Sequence, residues 1–169
     1  MTRRAVVQKW ILYSLCALAL VLVQSLLLVR VQVWGVHPFL LPAIAVIPVT
    51  LERDEGALLF SVFFGLACDL LTPVAGLPCF YALAFFVSGG LAWLLSGRVV
   101  AAGLVCSLAA AASALVVCGV LHLAVLAGSQ SVDVTAAAVL AGKEAALSLP
   151  LTVLVHYPFR RICLLTQRD

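Results

Sequence analysis

Six apolar runs, separated by short polar breaks, cover nearly the whole chain. They lie at residues 10–29, 38–51, 56–71, 77–95, 99–127 and 134–157. The runs are continuous rather than alternating, which predicts helices and excludes a barrel built from strands of about ten residues. The first run matches the roughly 20 residues needed to cross a bilayer core. It ends at Arg30 without a convincing small-residue cleavage site, so it reads as a retained first helix. The second and third runs are shorter than the usual span of about 17–25 residues. Pro42 and Pro48 interrupt the second and should kink it. The cluster Glu52-Arg53-Asp54-Glu55 separates them, so the two form a helical hairpin with a polar tip at a water interface.

Composition sharpens this picture. Of 169 residues, 65% are hydrophobic and 10% charged, with mean hydropathy +1.23. Soluble domains carry roughly 25% charge. Too few charges are present to cover a water-facing surface, so lipid is the outer solvent. The expected fold is all-α: a polytopic membrane helix bundle of about six transmembrane helices with short loops, forming a single domain over residues 1–169.

Charge placement sets the orientation. Arg3, Arg4 and Lys9 precede the first run, Arg53 and Arg98 sit in even-numbered breaks, and Arg160, Arg161 and Arg168 follow the last. Six spans put all of these on one side, opposite Arg30. The positive-inside rule then makes the N- and C-termini cytoplasmic. The net charge is +3, and no basic stripe with interleaved aromatics occurs, so nucleic-acid binding is excluded.

Asp69 is the most informative polar residue. A carboxylate at membrane depth costs about 2.5–3.5 kcal/mol on insertion scales. It lies roughly 20 Å along its helix from Gly56, at 1.5 Å per residue. Either it faces the bundle as a partner or pocket contact, or it ends the helix facing water. Gly65, four residues earlier, shares its face and would admit a close neighbour. Gly76 belongs to the small-residue turn that follows. Lys143 and Glu144 lie inside the last run, about 100° apart on a helix. One would face the bundle and the other a cavity or partner. Lys143 is a candidate partner for Asp69. Alternatively, the last span begins near Ala145 and residues 134–142 lie along the membrane surface. Gln24 should make an interhelical hydrogen bond. Ser88-Gly89-Gly90 and residues 109–112 are small-residue patches for helix packing.

No metal site is expected. The six cysteines show no Cys/His ligand spacing, and His37, His122 and His156 are dispersed. Cys68 and Cys79 flank one turn and leave a disulfide open. No HExxH, GxSxG, phosphate loop or paired carboxylate appears. An intramembrane protease would need a Ser/His or Asp/Asp pair on facing helices. The reading is non-catalytic, with no cofactor.

The run ERDEGALLFSVFFGLACDLLTPVAGLPCFYALAFFVSGGLAWLL resembles the centre of the MreD family, rod-shape-determining membrane proteins of bacteria. The residues carrying the resemblance are Pro38, Gly56, Gly65, Asp69, Leu70, Leu71 and Gly76, with Pro150 and Arg160-Arg161 near the end. The chain departs at Leu77-Pro78, where relatives often place a polar residue. The resemblance implies a multi-pass protein of the bacterial plasma (inner) membrane, a non-catalytic scaffold of the cell-elongation machinery. It implies an MreC-like bitopic partner and, through it, an MreB-like filament and a peptidoglycan synthase. An alternative is the small-molecule-binding S-type component of an energy-coupling-factor vitamin importer. Its Ala-x-x-x-Ala motif is missing, since Val21 follows Ala17 and Val23 follows Ala19.

Overall fold

A computed structural model describes residues 3–72, 78–98, 103–128 and 134–166. Six helices follow one another: α1 (Arg3–Leu26), α2 (Leu41–Glu52), α3 (Glu55–Leu71), α4 (Phe80–Arg98), α5 (Leu104–Gly128) and α6 (Val134–Thr166). A single 3-10 turn, Leu28–Arg30, follows α1. No named strand occurs among the described residues; Val33 and Val36 form an isolated bridge. The expected all-helical bundle is present. Three helical segments are long and apolar enough to cross a membrane: Val6–Arg30, Leu104–Gly128 and Thr135–Thr166.

Helix directions alternate. Tyr13 of α1 stacks on Phe159 of α6 at 5.6 Å, and Lys9 meets Glu52 at the end of α2. At the opposite end, Gln24 of α1 binds Leu40 just before α2, and Ser148 of α6 binds Phe39. The start of α1 and the end of α6 therefore share one end of the bundle. Arg53, Arg160 and Arg161 are exposed there.

The short α2 is the centre of the molecule. Its residues from Leu41 to Thr50 are all buried, and it packs against α3, α4, α5 and α6 as well as α1. A helix that is apolar all round belongs inside, and the sequence LPAIAVIPVTLE has no polar face to present. Pro42 sits in the first turn, where the missing amide costs nothing. Pro48 lies inside the helix and is enclosed by the same packing. By contrast, α1 contacts only α2, the 3-10 turn and α6 at backbone level.

Two open alternatives are closed and one expectation is corrected. The last helix does not begin near Ala145. It is continuous from Val134 to Thr166 despite Pro150 and Pro158, so residues 134–142 continue the helix axis. The polar tip is not wholly solvated. Glu52 turns inward to Lys9, while Arg53, Asp54 and Glu55 remain exposed. Arg53 ends α2 in the left-handed region at φ 53°, and Asp54 caps α3 by accepting the Ala57 amide at 2.8 Å. Third, Cys68 and Cys79 are both free thiols.

Candidate functional site

The Asp69 carboxylate closes the α3–α4 hairpin. One oxygen accepts the Tyr81 amide and the other the Ala82 amide, each at 2.9 Å. These are first-turn amides of α4, which have no partner within the helix. Cys79, just before α4, has φ 64° and no carboxylate or hydroxyl with which to cap. Asp69 supplies the cap from another helix. A carboxylate at a helix start also meets the positive end of the dipole. That offsets its unfavourable position at the end of α3.

Gly65 makes this geometry attainable. A Cβ at Gly65 would stand 2.7 Å from both the Ala82 Cα and the Tyr81 carbonyl oxygen. The backbones of α3 and α4 therefore touch one turn below the carboxylate. Ser61 continues the seam, donating to the Phe85 carbonyl at 2.9 Å. Gly89 lies opposite, with Ser61 Oγ 3.0 Å from where its Cβ would be. Gly76 lies outside the described residues.

Asp69 and Lys143 do not pair. Both Asp69 oxygens are engaged by backbone amides, and Lys143 is exposed. Lys9 instead forms ion pairs with Glu52 and Asp54. Glu144, next to Lys143, is half-buried and lines a pocket of about 220 Å³ between α4, α5 and α6. Phe39, Phe80, Tyr81 and His122 share that lining. The cap links to this pocket, because Asp69 positions Tyr81.

A second cavity, an apolar cleft of about 260 Å³, opens between α1 and α3. The two helices touch through Trp10 and Tyr13 against Phe60. Beyond that point Ser14, Ala17, Val21, Phe64, Ala67 and Cys68 line the gap.

Sequence reasoning missed two polar clusters. In the first, Lys9 donates to Glu52 Oε2 at 2.7 Å and Tyr13 to Glu52 Oε1 at 2.8 Å. The i,i+4 spacing of Lys9 and Tyr13 was the available signal. In the second, Thr50 of α2, Ser107 of α5 and His156 of α6 form a buried chain. Thr50 donates to the Ile47 carbonyl at 2.8 Å, so its oxygen accepts from Ser107 at 3.1 Å. Ser107 then accepts from His156 Nδ1 at 2.9 Å. Nε2 is left a buried acceptor without a protein partner. The structure thus brings a serine and a histidine together on facing helices. Each is 1% exposed, and the serine proton is committed to Thr50, so the arrangement pins three helices.

Gln24 accepts the Leu40 amide at 2.9 Å, and Ser148 accepts the Phe39 amide at 2.8 Å. These bonds fix the start of α2. No group of three or more potential metal ligands occurs among the described residues. No family model, curated protein or solved structure matches this chain.

Proposed function

We propose that this chain is a non-catalytic scaffold of the MreD kind in a bacterial plasma membrane, docking the single transmembrane helix of an MreC-like partner. Through that partner it acts on an MreB-like filament and a peptidoglycan synthase, and so on cell shape. The carrying observation is the apolar cleft between α1 and α3. Small residues in a lipid-side groove let a partner helix approach closely, which is how helices associate where no hydrophobic drive exists between them. Ser14 and Ala67 are exposed within it, and Phe63 offers a large apolar face alongside. Asp69 and Gly65 support the reading by holding α3, one wall of the cleft, rigidly to α4. The exposed Arg53, Arg160 and Arg161 at the end shared by the termini favour a cytoplasmic placement of that end.

Affinity recovery of a single-span MreC-like protein from detergent or nanodiscs tests this. Ala67→Phe fills the cleft and should reduce recovery by at least about tenfold, a loss of about 1.4 kcal/mol. Ala146→Phe, on an exposed part of α6, should leave recovery unchanged. Equal recovery with Ala67→Phe and the native chain would overturn the reading.

A further inference from the structure

The Glu144 carboxylate accepts no hydrogen bond among the described residues, and the His37 imidazole lies close enough to act on it electrostatically. Glu144 is half-buried on a helix long and apolar enough to cross a membrane. A carboxylate in that setting with no hydrogen-bond donor is costly unless a full cation meets it. Its surroundings suit a cation. Phe39 and Tyr81 lie 6.2 Å apart and Phe80 stands edge-on to Tyr81 at 5.2 Å. Aromatic faces attract ammonium groups once these leave water.

The depth is just beneath the level of a lipid headgroup. Sixteen residues separate Glu144 from Arg160, about 24 Å of helix. Against a hydrocarbon core of about 30 Å, Glu144 lies about one turn inside the far edge. The first turns of α2 and α4 lie at the same level, since Ser148, one turn along from Glu144, holds the Phe39 amide. At the rim, His122 and Leu140 are exposed, so the pocket opens sideways towards lipid. Its volume of about 220 Å³ is below the roughly 300–1,000 Å³ typical of sites for larger organic ligands. Lys143 is exposed one position before Glu144 and has no ionic partner. One turn of α6 thus carries an anion in the pocket and a cation outside it.

We propose that this pocket holds the ammonium of a zwitterionic phospholipid headgroup, that of phosphatidylethanolamine, on the Glu144 carboxylate, with Lys143 taking the phosphate. The charge order matches the headgroup: the ammonium is terminal and enters, and the phosphate stays at the rim. This site is independent of the partner cleft, so loss of lipid preference with partner recovery intact would remove this proposal and leave the scaffold standing.

Native mass spectrometry of the purified full chain, offered equimolar phosphatidylethanolamine and phosphatidylglycerol, is the test. The native protein should retain phosphatidylethanolamine at least about tenfold over phosphatidylglycerol. Glu144→Gln should abolish the preference, and Lys143→Gln should weaken retention of both lipids. Ala137→Leu narrows the pocket without touching a charge, and should lower phosphatidylethanolamine retention even if Glu144→Gln folds poorly. Equal retention of the two lipids by the native protein would overturn the proposal. So would an undiminished preference in Glu144→Gln with a native melting curve. Displacement of the lipid by free ethanolamine or choline would also overturn it, and assign the pocket to a soluble cation.

Discussion

Lys9 and Glu52 form an ion pair at 2.7 Å that is almost entirely withdrawn from solvent, with side-chain exposures of 6% and 8%. Tyr13 donates to the other carboxylate oxygen at 2.8 Å. The pair joins α1, the loosest helix, to the end of the central α2. Removing one partner strands the other charge, at a cost of about 3–5 kcal/mol. Lys9→Met should therefore lower the melting temperature in nanodiscs strongly. Lys9→Met with Glu52→Met should recover most of the loss, because no charge is then left unpaired. A double variant as unstable as the single one would show that the pair is not what holds α1.

Asp69→Asn tests the cap between helices. An asparagine keeps the size and one acceptor oxygen but loses the charge and the second acceptor. The expected loss is about 1–2 kcal/mol, the upper range for a helix cap. Hydrogen exchange should speed up at Tyr81 and Ala82 specifically. Unchanged exchange at those amides would remove the cap from the account.

Gly65 and Gly90 form a contrast. A Cβ at Gly65 collides with the backbone of Ala82 and Tyr81 at 2.7 Å, whereas at Gly90 nothing lies within 4 Å. Gly65→Ala should destabilise by about 1–3 kcal/mol through overpacking. Gly90→Ala should be neutral or stabilising by up to about 1 kcal/mol, the helix-propensity gain. Thermal unfolding of the two variants, measured together, is the check.

Ser107→Ala removes the middle of the buried chain from Thr50 to His156. His156 Nδ1 then joins Nε2 as a buried atom without a partner. An unsatisfied buried group costs about 1–3 kcal/mol. Ser107→Thr keeps the hydroxyl and should lose less, as read by denaturant or thermal melts.

Cys79 offers a native probe of sidedness. It is exposed, whereas Cys68, Cys106, Cys118 and Cys163 are buried and Cys16 is half-buried. With cytoplasmic termini, a membrane-impermeant maleimide should label intact spheroplasts at Cys79. Cys79→Ser should abolish most of the signal. Labelling only after permeabilisation would invert the proposed orientation.

Periodicity and hydropathy made the six helices and their approximate limits legible, because each run has a polar or turn-forming boundary. The special standing of Asp69 was legible too, since a lone carboxylate in an apolar run is conspicuous. Its bonding was not. Backbone amides leave no side-chain signature, and a charged residue such as Lys143 drew attention instead. Glu52 was hidden by its neighbours, because four consecutive charged residues look like one solvated tip. The Ser107–His156 contact depends on the rotational register of α5 against α6, which a single sequence does not encode visibly. The centrality of α2 was masked by its length. Twelve residues look marginal beside a bilayer, yet they suit a core element wrapped by longer neighbours.

That wrapping has a consequence for how the protein is made. An element about 18 Å long, at 1.5 Å per residue, is too short to partition across a bilayer by itself. The surrounding helices must build the chamber that receives it. Substitutions in α2 should then show themselves as failures of assembly and early degradation, more than as defects in a protein that has already reached the membrane.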